Sequence, residues 1–329
     1  MLFWKTAHQT VTRLYHSTQR TQPRTMSRRL IVFDFDGTVT QHDTINVLAQ
    51  FAISSRGPPG SPSHNEASQK WKQIVDLYVA DHSAHKESYF PPAKDRQTLA
   101  QELSYLESLR TVEMASAERV VEQKFFAGLR REEWVGFGRV ARFNGSLEKE
   151  EDEGKTVKMR KGFSEFVARC KEKEDTKLGV LSVNWSKAFV EGVLEVEDPR
   201  RDEEIFEKRV NELRYPGGEL EGPEEMGGRV MMTVRDKLEG FETMLLQQGE
   251  KVDGQRSVYF GDSVTDLECL LRADTGIVVV NEGEEETSKL LDTLRRVGFE
   301  VPHVSEAREG MKLAWARDFE EVLGSKILG

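Results

Sequence analysis

The sequence predicts an α/β fold: a doubly wound parallel sheet with a helical domain inserted behind its first strand. Three observations carry this. Short apolar runs at residues 30–33, 178–183, 258–260 and 277–280 are rich in branched and aromatic residues and lack polar alternation, as strands buried on both faces do. Helical patterns separate these runs, and strand–helix alternation implies a parallel sheet covered on both sides. The alternation fails over residues 45–157, where only helix-like segments and loops occur.

The first strand, "LIVF", runs directly into Asp34 and Asp36. Residues i and i+2 of an extended segment point to the same side, so the two carboxylates share one space, where their repulsion needs compensation. Residues 45–157 then read as helices in "DTINVLAQFAI", "QKWKQIVDLYVA", the long stretch 96–126 and "REEWVGFGRVARF". "SSRGPPGSPSHN" reads as a mobile loop and the acidic "LEKEEDEGK" as a solvated connector. "GFSEFVARCKEK" is the helix before the second strand. That strand carries Ser182 in "GVLSVNWS", and "SKAFVEGVLEV" follows with Ser186 as a possible N-cap. Residues 197–229 read as a second, charged insertion made of turns. Lys237 opens the helix "DKLEGFETMLLQQ". The third strand ends in "GDSVTDLECL", where Asp262 and Asp266, four apart, share a face if helical. The reading therefore divides the chain into a leading segment 1–29, a core part 30–44, a helical cap 45–157 and a second core part 158–329.

The 329 residues suggest about two domains on the usual length prior. The chain is 37% hydrophobic and 32% charged, which suits a globular core. A net charge of −10 argues against nucleic acid as the partner, and no apolar run approaches the roughly 18 residues of a membrane span. Cys170 and Cys269 match no metal-ligand spacing and make no disulfide framework. Residues 1–29 contain six cationic side chains and no acid. With apolar residues at helical spacing, that is the composition of a mitochondrial transit peptide. "MSRRLIVFDFDG" reads equally as a start at Met26, so the reading leaves cytoplasmic and mitochondrial locations open, and a chain beginning at Met26 is expected to fold.

In doubly wound sheets chemistry gathers at the C-terminal ends of the strands. Four acids converging there call for a cation, and hard oxygen ligands with room for water suit Mg²⁺. A lysine and a hydroxyl beside them suit a phosphoryl group. A carboxylate can attack phosphorus, and a second can carry protons. Taken singly, each residue has an ordinary account: a turn acid, a cap, a surface lysine, a satisfied core hydroxyl. Jointly those accounts require four coincidences.

The four segments, in this order, resemble the haloacid dehalogenase superfamily of phosphatases and related phosphotransferases. "DFDGT" is similar to its first motif, Ser182 to its second, Lys237 to its third and "GDSVTD" to its fourth. The resemblance implies a Rossmann-like core with Asp34 as nucleophile and metal ligand. Asp36 would be the acid/base that also lends its backbone carbonyl to Mg²⁺. Ser182 and Lys237 would hold the phosphoryl group, and Asp262 would ligate the metal with Asp266 supporting it. The substrate implied is a small-molecule phosphomonoester. A cap between the first and second motifs, with "GTVTQHDTINVL" and "VNEL", resembles the subgroup of phosphoserine phosphatase and the methionine-salvage phosphatases, in a fungal-type member. A phosphomutase or other phosphotransferase is the alternative, as is an inactive fold kept for binding or regulation. Loss of any of Asp34, Asp36, Lys237 or Asp262 would favour the inactive fold, and none is lost.

One cap feature bears on specificity. With Leu106 centred on one helical face of 96–126, Leu99, Leu103, Ala117, Val120 and Val121 fall on the same stripe. Glu113 lies within that stripe and Arg110 near its edge. A pair at i, i+3 would satisfy both, and a break near Thr111 would rotate them away. Alternatively the cap closes over the site, with Glu113 meeting a cationic group of the substrate and Arg110 an anionic one.

Overall fold

The computed structural model describes residues 29–147, 155–173, 175–195, 205–248 and 256–328. The basic leading segment and most of the acidic connector lie outside the described residues. The strands are β1 (Arg29–Phe33), β2 (Thr176–Ser182), β3 (Phe206–Val210), β4 (Glu212–Arg214), β5 (Glu219–Glu221), β6 (Arg256–Gly261), β7 (Thr275–Val279) and β8 (Leu313–Ala316). Six of them form one all-parallel sheet in the order β3-β2-β1-β6-β7-β8, and β4 and β5 form an antiparallel hairpin. Arg29 pairs with Thr176 on one side and Arg256 on the other, so β1 sits where the strand order reverses.

β1 is central because it is apolar on both faces. Leu30 and Val32 pack with Phe241, Met244 and Tyr259 on one side; Ile31 and Phe33 pack on the other. Phe33 lies among the rings of Phe163, Phe166, Phe206, Phe260 and Phe319, stacked on Phe260 at 5.1 Å. Helices α6 (Phe163–Lys171) and α11 (Phe319–Gly324) supply that face; α8 (Val234–Gln247), α9 (Leu267–Arg272) and α10 (Lys289–Arg296) cover the other. The fold class is the one the sequence predicts, with two more strands in the main sheet and the β4–β5 hairpin beside it. β3 lies inside the stretch taken for turns, and its "FEKRV" hides its signal because it is an edge strand. Phe206 and Val210 are buried, as is Arg209, which reaches Glu207 (2.6 Å) and Glu225 (2.9 Å). β8, "LAWA", is four residues long, too short to show a period.

Among its described residues the insertion carries α1 (Ile45–Ser54), α2 (Pro62–Ser88), α3 (Leu99–Ser108), α4 (Arg110–Glu122) and α5 (Arg131–Gly145), and no strand. Its two ends meet at one neck, where Gln41 N donates to Lys158 O (2.8 Å) and Arg160 N to Val39 O (2.8 Å). The predicted loop 54–65 is shorter than expected. Ser61 caps α2 through His64 N, and Pro62 sits in its first turn, where its missing N–H has no helical partner to lose. The predicted single helix over 96–126 is two helices. The chain tightens at Leu109, whose N–H reaches Leu106 O (3.3 Å), while Ser108 Oγ bonds Tyr105 O (2.6 Å). The single stripe is therefore split. Leu106 packs with Phe241 on the core, and Val120 with Phe126 and Trp134.

The helical insert is seated firmly on the core. α5 packs along α7 (Lys187–Leu194) at glycine contacts. A Cβ at Gly138 would stand 2.4 Å from Phe189 O, and one at Gly192 2.1 Å from Val135 O. No helix among the described residues is long and apolar enough to cross a membrane.

Candidate active site

Asp34 follows β1 directly, and its N–H donates to Phe260 O (2.9 Å), which holds it against the end of β6. The chain then kinks. Asp36 is extended (ψ 128°) and Gly37 takes φ +73°. A Cβ at Gly37 would lie 2.2 Å from Asp262 Oδ2. The left-handed backbone and the close approach both require glycine there. Thr40 closes the turn, its N–H and Oγ1 donating to Phe35 O at 3.0 and 3.2 Å.

Three carboxylates converge. Asp34, Asp262 and Asp266 each place an oxygen within 4.8 Å of the others. Lys237, wholly buried, enters this group from the first turn of α8, with Nζ 2.9 Å from Asp34 Oδ2 and 2.7 Å from Asp266 Oδ1. Asp34 Oδ1 accepts from Phe35 N (2.7 Å), and Asp262 Oδ1 from Thr38 Oγ1 (2.8 Å). Asp266 is the most heavily bonded: Tyr259 OH donates to it at 2.7 Å, and Ser263 N and Oγ at 3.1 Å each. It lies in a single 3₁₀ turn leading into α9, which aims its carboxylate back at Lys237.

Burial, then the charge of Asp266, pushes Asp34 well above the usual carboxylate range, with Lys237 pulling the other way. Burial and Asp266 likewise push Asp262 up to about 7. Burial opposes the charge on Lys237, but Asp266 and Asp34 outweigh it and hold the ammonium protonated. When ionised, these three carboxylates face one ammonium and leave about two negative charges unbalanced, which adds to burial in pushing the pKa values of Asp34 and Asp262 up. An all-oxygen donor set with that surplus fits a small divalent cation such as magnesium.

Asp36 faces a different corner. Oδ1 accepts from Thr44 N (2.9 Å) and Thr44 Oγ1 (2.6 Å), and Oδ2 from Asn184 Nδ2 (2.8 Å). Burial, then the charge of Asp43, raises it to about 7, so both of its protonation states are accessible near neutrality. Ser182, fully buried at the end of β2, accepts from Asn184 N (3.1 Å), tying this corner to the second strand.

The sequence reading missed the residues that hold these groups. Asn184 stood two places after Ser182, a same-side spacing that was visible. Thr44 carried no signal. Neither did Arg160, which enters from beyond the insertion and donates to Thr38 O (3.0 Å), Arg317 O (3.0 Å) and Gly37 O, bracing the turn that carries Asp36.

The two cap candidates separate. Glu113 is half-buried on α4, accepts from Tyr78 OH (3.0 Å), and burial raises its carboxyl. Arg110 does not pair with it. Its Nε donates to Glu107 (2.8 Å) and its Nη2 to Thr233 Oγ1 (3.0 Å) and Asp236 Oδ1 (2.9 Å). The helix break expected near Thr111 falls at Leu109 and turns Arg110 toward the core.

A family model described as haloacid dehalogenase-like hydrolase matches residues 31–271. The chain is 23% identical to Cold tolerance protein 1 of Saccharomyces cerevisiae over 309 residues, covering 89% of this chain and 92% of the yeast protein. It is 26% identical to a CTO1 family protein of Schizosaccharomyces pombe, covering 73% of this chain and 78% of that one. Against the Bifunctional TH2 protein, mitochondrial, of Arabidopsis thaliana it is 27% identical over 82% of its own length but only 41% of the plant protein. Among solved structures, a phospho-aspartyl intermediate analogue of phosphoserine phosphatase aligns over 91% of this chain and 98% of that one, at 15% identity and a TM-score of 0.45.

Proposed function

The chain belongs to the haloacid dehalogenase-like hydrolase family, and from that premise we propose that it is a magnesium-dependent phosphatase acting on a small phosphomonoester through an aspartyl-phosphate. The observation that carries the reading is the buried meeting of Asp34, Asp262 and Asp266 with Lys237 at the switch point of the sheet.

Asp34 attacks phosphorus, forming the Asp34–phosphoryl bond as the ester P–O bond breaks. The departing oxygen takes its proton from Asp36. In the second half Asp36 removes a proton from water, the water oxygen bonds to phosphorus, and the bond to Asp34 breaks to release phosphate. Lys237 and Ser182 bind the phosphoryl oxygens throughout. Thr44 and Asn184 hold Asp36 in place while its proton moves. Asp34, Asp262 and the backbone carbonyl of Asp36 would hold magnesium, with Asp266 beside them. The metal supplies charge neutralisation for the phosphoryl group. The cap between the first two motifs supports placing the chain in the phosphoserine phosphatase-like subgroup.

The test is phosphate release from a generic aryl phosphate, expected with magnesium and abolished by a chelator. Metal-independent turnover sinks the mechanism. Magnesium is also expected to stabilise the fold without any substrate. At a hundredfold excess over its Kd the gain is about 2.7 kcal/mol. Thermal melting with and without chelator checks this, and an unchanged Tm would remove the metal from the buried site.

Glu113 is the side chain we assign to substrate choice, meeting a cationic group on the ester's organic part. Its half-burial, with the Tyr78 hydroxyl as its hydrogen-bond donor, supports this. Glu113→Gln is expected to raise KM for the natural substrate while sparing an aryl phosphate, because binding is lost and chemistry is not. Equal loss on both, with a lowered Tm, assigns Glu113 to the fold.

A further inference from the structure

Helices α3 and α4 are fastened to the core at the point where they meet. Arg110, the first residue of α4, donates to Asp236 Oδ1 (2.9 Å) and Thr233 Oγ1 (3.0 Å) on the core, and to Glu107 Oε1 (2.8 Å) on α3. Glu107 Oε2 accepts in turn from Thr233 Oγ1 (3.1 Å). Thr233 is the N-cap of α8, and Asp236, completely buried, closes that capping box and directly precedes Lys237. One guanidinium therefore joins the end of α3, the start of α4 and the terminus of the helix that delivers Lys237. Glu113 lies one turn further along α4.

The charge of Asp236 does not by itself explain Arg110. A second guanidinium, from Arg229, lies 2.9 Å from the same oxygen and also pairs with Glu239. Arg229 belongs to the core, so the two arginines share an acceptor but only Arg110 crosses from the cap. The far end of α3 has its own anchor. Arg296 of α10 donates to Glu102 Oε2 (3.0 Å) and to Arg96 O, and Glu102 pairs with Arg96 (2.7 Å) in a buried cluster. Removing Arg110 thus loosens the α3–α4 junction, leaving it the Glu107–Thr233 bond, while α3 stays seated.

We propose that Arg110 is a positioning residue that sets the register of the cap over Lys237, so that the space for the ester's organic part keeps a defined height above the phosphoryl site. The kinetic side of this role rests on the phosphatase reading. It replaces the anion-binding role that the sequence suggested for Arg110, because its fork of donors already meets three protein oxygens.

Arg110→Gln and Arg229→Gln in the full chain test it side by side, since each takes one guanidinium from Asp236 and only the first removes a tie to the cap. With magnesium and an aryl phosphate, Arg110→Gln is expected to lower kcat/KM by roughly tenfold to a hundredfold, mainly through KM. The cap covers the leaving group of any ester, charged or not. Arg229→Gln should stay within about threefold, and Arg110→Lys should recover part of the loss, since an ammonium keeps the charge but not the fork. Amide exchange over residues 107–122 should quicken in Arg110→Gln alone. Equal kinetic effects in the two glutamine variants, or unchanged kinetics in Arg110→Gln, overturn the proposal. If the wild-type protein turns over no phosphate ester, the phosphatase reading fails. The exchange comparison then decides the anchor separately, and identical exchange in both variants overturns it.

Discussion

Asp34→Asn is expected to release no measurable phosphate from an aryl phosphate at saturating magnesium. An amide is a poor nucleophile, so the aspartyl-phosphate cannot form. It is also a weaker metal ligand and a weaker partner for Lys237 Nζ, now 2.9 Å away. The fold should survive. Burial, then the charge of Asp266, already pushes the pKa of Asp34 upward, and removing its negative charge relieves both the desolvation and the repulsion. A normal or raised Tm with abolished turnover is the expected pair of results. Asp36→Asn separates the second role. Its loss is expected to be roughly 10² to 10⁴ in rate, the usual worth of general acid–base catalysis. The remaining activity should favour esters with good leaving groups, which need less protonation. An active Asp34→Asn protein would remove the covalent mechanism altogether.

Lys237→Met is expected to damage both stability and activity. Lys237 is the cation that faces Asp34 and Asp266 at 2.9 and 2.7 Å with no exposure to solvent. Its removal leaves buried carboxylates without their partner, a change that typically costs about 3–5 kcal/mol. Part of that loss should return with magnesium, which supplies positive charge at the same point, and denaturant midpoints measured with and without the metal report it. Turnover should fall by roughly 10² to 10³, the worth of one preorganised electrostatic contact to the transition state. The double variant Lys237→Met/Asp266→Asn should regain stability without regaining activity. If it regains neither, the ion pair is not what holds this corner. If the single variant is as stable as the wild type, the buried charges are balanced in some other way.

Much of the site was legible because its parts are local. Asp34 and Asp36 are two apart on one extended segment, Asp262 and Asp266 share one turn, and Lys237 begins a helix with clear amphipathic spacing. Each follows or precedes an apolar run that can only be a buried strand or its covering helix. Strand ends and helix starts are set by residues within a few places of one another, and sequence order carries that information. The same logic made β1, β2, β6 and β7 readable, since both their faces are buried and the apolar run is unbroken.

What remained hidden depends on contacts between segments far apart in the chain. β3 is an edge strand whose buried Arg209 finds partners in Glu225 and Gln247. Thr44 and Asn184 meet at Asp36 across about 140 residues of chain, and Arg160 braces the turn after Asp34 from the far side of the cap. The cap illustrates the limit best. A single stripe over 96–126 is a valid period-3.6 reading of those residues. It was overturned because α3 packs against one core cluster and α4 against another. The bend at Leu109 then carries Arg110 to Asp236, a partner 126 residues away. The unbroken apolar runs, their alternation with helical patterns and the acids that directly follow them were enough to determine a doubly wound parallel core with carboxylates at its strand ends. Which face of the cap meets that core, and which side chains hold the acids in place, was decided by tertiary packing, because a side chain's partner is chosen by burial and charge at the point where distant segments meet.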